Sequence, residues 1–328
     1  MSAEKLVSIL IPVRNEESNI DRCWRALAEF SSEYADKYRF EFLFTDNHSE
    51  DRSYELLKEL SVRDERVRTF RLSRNFGYQA SIHTAYMRCS GDAAIQFDCD
   101  LQDPPDVMSR FLEYWEQGYK VVYGIREKRE EGLLINFTRN LFYRLMKLSS
   151  SDESPEGAGD FRLVDRIVIE EMRRVDDQTP YLRGLISKIG FAQVGVPYTR
   201  GARVAGKSKF GLSALWALAW DGFTSHSISP LRIATVVGLL TAVGTMIFIA
   251  TYLIGRLVPG ADWPPGFATL VILILFGIFL NAVFLGIIGE YVGRIYLQVK
   301  RMPISIVEES SEDRNASQKK QETGVDKG

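Results

Sequence analysis

The sequence has no cysteine framework. Its three cysteines, Cys23, Cys89 and Cys99, show no CxxC spacing. That excludes a disulfide scaffold or a thiolate zinc site and fits a reduced compartment. They read as small buried thiols. An excess of either charge is missing too. The formal net charge is −2, so no global basic field points to nucleic acid. No GxGxxG follows the first strand-like run and no GxxxxGK[ST] occurs anywhere, so dinucleotide and P-loop readings lose their main support. Met1–Lys5 lead into a strand-like run without the apolar core and cleavage site of a signal peptide.

Two stretches lack charge altogether. Ile233–Gly255 gives roughly 23 uncharged positions, and Trp263–Gly289 roughly 27, against about 20 needed to cross a hydrocarbon core. The alternative is a pair of buried core helices, which are usually shorter and carry some charge. Between the two lies Arg256-Leu-Val-Pro-Gly-Ala-Asp-Trp-Pro-Pro, a turn with breakers and an interfacial Trp. The expectation is a two-helix transmembrane hairpin over 229–292. Arg232 precedes the first span, and Arg294, Lys300 and Arg301 follow the second, while the turn offers only Arg256. This asymmetry puts both termini in the cytoplasm. Asn281 either hydrogen-bonds another helix or is simply tolerated. With Gly277, Gly286 and Gly289 it permits helix packing and so a homo-oligomer.

The residues over 293–328 read as a cytoplasmic, largely disordered tail. After Glu308 they are polar and Ser-rich, with too few apolar side chains to bury a core. Asn315-Ala-Ser matches a glycosylation sequon by chance on such a tail.

The region 1–228 reads as a cytoplasmic catalytic domain. Leu6–Val13, Phe40–Asp46, Val67–Leu72, Ala93–Asp98 and Lys120–Ile125 are expected strands. Ser18–Phe30, Asp51–Val62, Gly77–Cys89 and Pro105–Gln117 show helical spacing between them. Alternating β and α units give a mainly parallel sheet covered on both faces. Such α/β sheets bind ligands beyond the carboxyl ends of their strands. Four of these ends carry polar clusters: Pro12–Glu17, Thr45–Asp51, Ser73–Gly77 and Asp98–Pro105.

The last cluster reads Asp98-Cys99-Asp100-Leu101-Gln102. On an extended segment, positions i, i+2 and i+4 point one way. Asp98, Asp100 and Gln102 would then converge on a hard cation, Mg²⁺ or Mn²⁺, which bridges to substrate phosphates. The alternatives are a solvated acidic turn or an N-cap for the helix after Pro104.

Together these residues resemble the family 2 glycosyltransferases of GT-A fold. Pro12-Val13-Arg14-Asn15-Glu16-Glu17 is similar to P-x-Y-N-E-E, with Arg14 in place of Tyr. Asp46-Asn47-His48-Ser49-Glu50-Asp51 resembles D-D-G-S-x-D, departing at Asn47 and His48. Asp98–Pro105 matches D-x-D-L-Q-x-P-P. Leu72–Gly77, Gly124–Arg126, Gly159–Leu163, Tyr181–Gly184 and Arg203–Phe210 extend the likeness. The set, followed by two spans, resembles the polyprenyl-phosphate glycosyltransferases, including dolichol-phosphate mannose synthases and bactoprenol glucosyltransferases.

That resemblance implies inverting transfer of a hexose from a nucleotide-sugar to polyprenyl (undecaprenyl) phosphate at a bacterial-type inner membrane. UDP-glucose is favoured because the two-span architecture resembles the bacterial branch, and GDP-mannose is the alternative donor. The implied donor contacts are Pro12, Arg14, Asn15, Glu16, Asp46, Asn75, Gly77 and Asp98. The implied catalytic residues are Asp100, Asp160, Arg126 and Arg162, and the implied metal ligands Asp98, Asp100 and Gln102. A lipid phosphate is largely dianionic at neutral pH and needs cations to hold it in line more than it needs a base. Arg126, Arg200, Arg203, Lys207, Ser208 and Lys209 are the implied acceptor contacts. Lys128 and Arg129 suit either that role or a solvated basic face. Asp160 suits an arginine-orienting, an electrostatic or a merely structural role.

Two segments are suited to the membrane surface. The stretch 133–148 is apolar on much of its circumference and basic elsewhere, which fits an interfacial helix or a core helix. The stretch 210–226 carries Trp216, Trp220 and Phe223 at headgroup-friendly spacing. Two other readings compete. A processive polysaccharide synthase would carry Q-x-x-R-W, which is absent. A non-catalytic membrane scaffold would keep the fold without the chemistry.

Overall fold

The first strand, β1 (Lys5–Val13), alternates the faces on which its side chains are buried. Val7, Ile9, Ile11 and Val13 join one apolar cluster and Leu10 joins another. One strand thus anchors two cores, one on each side of the sheet. The computed structural model describes residues 4–126, 158–177, 181–201, 229–257 and 266–312.

The remaining described elements follow in chain order: α1 (Ile20–Glu33), β2 (Tyr38–Asp46), α2 (Ser53–Arg63), β3 (Val67–Leu72), α3 (Tyr78–Arg88), β4 (Ala93–Gln96), α4 (Val107–Glu116) and β5 (Val121–Arg126). After these come β6 (Ala158–Asp165), α5 (Arg166–Arg174), α6 (Leu182–Ile189), β7 (Gln193–Tyr198), α7 (Ser229–Leu257), α8 (Phe267–Lys300) and β8 (Val307–Ser310). The expected strands and helices of the first 126 residues all appear, with ends shifted by a few residues. The strand at Ala93 stops at Gln96, before the acidic cluster.

The strand order is β7-β5-β6-β4-β1-β2-β3-β8. The central pairs β1–β2, β1–β4 and β2–β3 are parallel, as is β5–β7. Strand β6 runs antiparallel to both β4 and β5. Cys23, Leu27 and Phe30 of α1 and Met108, Phe111 and Leu112 of α4 pack on one face. Ile82, Ala85 and Tyr86 of α3, with Val168, Ile169 and Met172 of α5, pack on the other. Fully burying each Leu, Ile, Val, Phe or Met side chain among these contributes about 1.5–3 kcal/mol. The three cysteines are buried and free.

Pro12 sits within β1 at little cost. Leu10 accepts from Phe97 N–H on the β4 side, and Val13 accepts from Asn47 N–H on the β2 side. Pro12, two residues after Leu10, faces the β4 side beyond the last β1–β4 pair at Leu10 and Gln96. No partner there needs its missing N–H.

The expected disorder after Glu308 is corrected for residues up to Glu312. Strand β8 pairs antiparallel with β3. Ser310 and Ser311 are buried, Ser311 Oγ accepts from Thr69 N–H, and Arg68 pairs with Glu312. Apolar side chains are few here, but an edge strand docks through its main chain, which polar residues supply equally well. Residues 302–312 therefore group with the sheet in one compact unit.

The second unit contains α7 and α8. Helix α8 runs eight residues past the expected end at 292. Among the described residues one helix, Phe276–Lys300, is long and apolar enough by length and composition to cross a membrane, and none of that span is buried. Ala234–Phe248 is a shorter apolar helix. Asn281 Nδ2 donates to the Gly277 carbonyl at 3.0 Å, one turn back on its own helix. The amide is thus partly satisfied locally. The expected surface segments 133–148 and 210–226, the turn 258–265, and residues 313–328 lie outside the described residues.

Candidate active site

Three turns beyond the strand ends hold non-glycine residues in the left-handed region: Asn15 (φ 55°), His48 (φ 58°) and Leu101 (φ 54°). They follow β1, β2 and β4. Backbone strain gathered on one edge marks the functional side of the sheet. It also overturns the extended reading of Asp98–Gln102. The chain turns there: Leu101 N–H donates to Asp98 O at 3.4 Å and Gln102 N–H donates to Asp100 Oδ1 at 3.2 Å. Asp98, Asp100 and Gln102 do not share one face of a strand. Gln102 is buried and its carbonyl takes the Gly201 N–H at 2.9 Å. The capping alternative fails as well, because Asp106 occupies the N-cap position of α4.

The first two turns are stapled to each other. Asn15 N–H donates to Ser49 Oγ, Glu16 N–H to Ser53 Oγ, and Glu50 N–H to Asn15 Oδ1. Glu16 Oε2 accepts from Asn19 Nδ2. Asn15 and Glu16 thus hold the loops, while Arg14 projects exposed from the same turn. Asp46, fully buried at the end of β2, accepts the Ser49 N–H on both oxygens at 3.2 Å. Burial raises its carboxyl above the usual range, against the lowering effect of Ser49 and Arg71.

Asn47 explains one departure from the D-D-G-S pattern. Its Nδ2 donates to Asn75 Oδ1 at 2.9 Å and its Oδ1 accepts from Phe76 N–H at 2.9 Å. Asn75 Oδ1 also accepts from Gly77 N–H at 3.0 Å. Gly77 opens α3 with φ 92°, a conformation that favours glycine. His48 occupies the glycine position of the pattern in a glycine-like conformation, with Nδ1 3.1 Å from Leu72 O.

Around the fourth strand end the charges converge. Tyr78, at the start of α3, donates its hydroxyl to Asp98 Oδ1 at 2.8 Å and accepts from Gln96 Nε2 at 2.9 Å. Arg200 lies 3.8 Å from Asp98 and 3.1 Å from Asp103. Tyr198 donates to Asp103 Oδ1 at 2.6 Å and accepts from Arg126 Nε at 3.3 Å. A Cβ on Gly124 would meet the Tyr198 ring at 2.5 Å, so glycine there lets the ring lie against β5. Desolvation, followed by the nearby carboxylates Asp103, Asp100 and Asp160, pushes Asp98 up to about 6, although Tyr78 pulls the other way. Burial and Asp98 hold the Tyr78 phenol far above its ordinary range. It therefore stays a neutral donor.

Asp160 is held between two arginines, 3.1 Å from Arg183 and 3.9 Å from Arg162. Of the roles left open for it, arginine pairing is the one the geometry displays. Arg162 is 4% exposed and donates to Gly159 O at 2.8 Å. It borders the site through Asp160. Arg203, Lys207, Ser208 and Lys209 lie outside the described residues.

Comparison with known proteins agrees with this geometry. The sequence pattern of glycosyl transferase family 2 matches residues 8–173. An uncharacterised glycosyltransferase, YkcC, of Bacillus subtilis (strain 168) is 40% identical over 94% of this chain and 95% of its own length. The chain belongs to glycosyl transferase family 2. It is a hexosyltransferase with a GT-A-like α/β fold, and the scaffold reading gives way. The bactoprenol glucosyl transferase of Shigella phage SfII is 35% identical over 93% of this chain and 98% of its own. The mannosyltransferase PcManGT from Pyrobaculum calidifontis, solved in complex with GDP-Man and Mn²⁺, aligns at 14% identity and a TM-score of 0.46, over 90% of this chain and 88% of that one.

For this glycosyltransferase, sequence reasoning passed over Tyr78, Asp103, Arg183 and Tyr198. Tyr78 adjoins Gly77 and Asp103 ends the acidic motif, so position alone was a usable signal for both. Arg183 stood inside the Tyr181–Gly184 match. Nothing local marks Tyr198, whose partners lie far away in sequence.

Proposed function

We propose that this enzyme transfers glucose from UDP-glucose to polyprenyl phosphate at the cytoplasmic face of a membrane, with inversion at the anomeric carbon. The observation that carries this is the charge arrangement beyond β4. Asp98 and Asp103 stand beside Arg200, and Arg126 reaches Asp103 through the Tyr198 hydroxyl, so acidic and basic groups meet at one strand end. The length-wide similarity to a protein named bactoprenol glucosyl transferase supports glucose and a polyprenyl acceptor.

In this reading Pro12, Arg14, Asp46, Asn75 and Gly77 border the nucleotide, with Asn15 and Glu16 setting their turn. Asp98 and Asp100 are hard oxygen donors. Mg²⁺ characteristically binds through one or two carboxylates plus substrate phosphates, which suits this pair. Among the described residues no group of three His, Cys, Asp or Glu side chains could hold a metal alone. Gln102, whose backbone carbonyl takes the Gly201 N–H, stays the third candidate ligand through its side-chain oxygen. A bound divalent cation would supply charge stabilisation at the departing diphosphate. Arg126 and Arg200, with Arg203, Lys207, Ser208 and Lys209, would position the acceptor phosphate. Its dianion needs orientation more than deprotonation. Asp160, braced by Arg183 and Arg162, sets the charge balance between donor and acceptor.

A two-span hairpin, α7 and α8, with both termini cytoplasmic would hold this site near the lipid phosphate. The charge asymmetry around the two runs supports it.

The test is a donor panel on the full-length protein in detergent with undecaprenyl phosphate. Lipid-linked glucose from UDP-glucose is the expected product, lost with chelator or in Asp100→Ala. Transfer from GDP-mannose instead would shift the assignment to mannose, and full activity in chelator would remove the metal.

A further inference from the structure

Strand β8 does not pair regularly with β3. Phe70 is opposite Ser310 and Arg71 is opposite Glu309, but Leu72 is opposite Val307. Glu308 is the extra residue of a bulge. Bulges beside active sites re-aim a side chain, and this one brings Glu308 to Arg71. Arg71 Nε lies 3.9 Å from Glu308 Oε2 and 3.9 Å from Asp46 Oδ2.

Three further facts define Arg71. Its Nε is buried with no hydrogen-bond partner. Its guanidinium lies 4.8 Å over the ring of Tyr54, which is 1% exposed. Its Nη2 reaches Ser49 O only at 3.5 Å. The cation is thus fixed from below by a ring and flanked by two carboxylates, without closing on either.

A guanidinium facing a single carboxylate closes into a short, often bidentate pair. Such a pair would occupy the Asp46 oxygens. A second carboxylate on the other side balances that pull.

We infer that Arg71 is a positioning residue for Asp46, and that Glu308 holds Arg71 back so that both Asp46 oxygens stay on the Ser49 N–H and the turn after β2 keeps its shape beside the donor nucleotide. The inference rests on the proposed placement of the nucleotide at Asp46. It makes a strand that follows the second apolar run in sequence part of the donor edge.

The test uses full-length protein in detergent, with UDP binding followed by calorimetry and donor KM and kcat measured alongside. Glu308→Gln is expected to weaken UDP and raise donor KM about tenfold, with kcat within about twofold. Glu308→Asp keeps the charge and is expected to recover part of the loss. Glu309→Gln is the control for strand docking, because Glu309 pairs with Lys58 at 2.9 Å. It should leave donor KM unchanged. In an Arg71→Met background Glu308→Gln should have no further effect. Additive losses, or UDP binding unchanged in Glu308→Gln, would overturn the inference while leaving the donor reading intact. Wild-type protein that binds neither UDP nor GDP would remove the donor reading and this inference with it.

Discussion

The Tyr78 hydroxyl stands between Gln96 and Asp98, accepting from one and donating to the other. Both contacts are short, and the phenol cannot ionise at working pH. Asp98 therefore keeps one oxygen committed and turns the other toward Arg200. Tyr78→Phe removes two hydrogen bonds, the one to Asp98 and the one from buried Gln96. The expected result is a fall in kcat/KM of about tenfold with a lowered melting temperature. Steady-state kinetics beside thermal unfolding checks it.

Asp46 trades stability for its place. Burial raises its carboxyl pKa in the folded chain, so the folded state holds the proton more tightly than the unfolded state. Ionisation at neutral pH then costs stability, and the cost is relieved as pH falls through the folded-state value. Asp46→Asn should raise the melting temperature at pH 7.5, with a gain that shrinks toward pH 4, while donor binding weakens. A melting temperature that drops equally at both pH values would contradict this.

The loop clamp at Asn47 should not tolerate a return to the family's aspartate. A carboxylate in its place would still accept from Phe76 N–H but would lose the donation to Asn75. Asn47→Asp is expected to destabilise by about 1 kcal/mol, the net worth of one such bond. Denaturant unfolding, cycled against Asn75→Ala, measures the coupling.

At the opposite ends of the strands a buried network is purely structural. Glu41 accepts from Ser8 Oγ, Ser90 N–H and Arg68 Nη1. Glu41→Ala leaves Arg68 without its inner partner, and a loss of about 3 kcal/mol is expected. Because the network is remote from the donor edge, kcat of the folded fraction should hold. Chemical denaturation and active-site-normalised kinetics separate the two effects.

Regular elements were legible where side chains alternate or recur. Val7, Ile9, Ile11 and Val13 announce β1, and Cys23, Leu27 and Phe30 announce α1, because burial imposes those periods directly. The acidic motif was legible as chemistry but not as shape. A left-handed Leu101 is a tertiary outcome that no spacing reveals. Strands β6 and β7 pair with β4 and β5, which lie far back in the chain, so no local spacing sets their register. Strand β8 escaped because Val307–Ser310 has almost no apolar signal. The partners of Asp103 and Asp160 come from remote elements, so those contacts needed the fold.

The docking of β8 also imposes an order of assembly. Strands β1 to β4 leave the ribosome early, but β3 keeps an open edge until residues 307–310 emerge, after both apolar runs. An unpaired edge is a template for wrong partners, and synthesis takes about 5–20 residues per second. The newborn chain therefore spends roughly ten to fifty seconds between making β3 and making the strand that covers it. Chains cut short before Val307 keep that edge open for good, so premature termination should yield aggregates more readily than a soluble catalytic fragment.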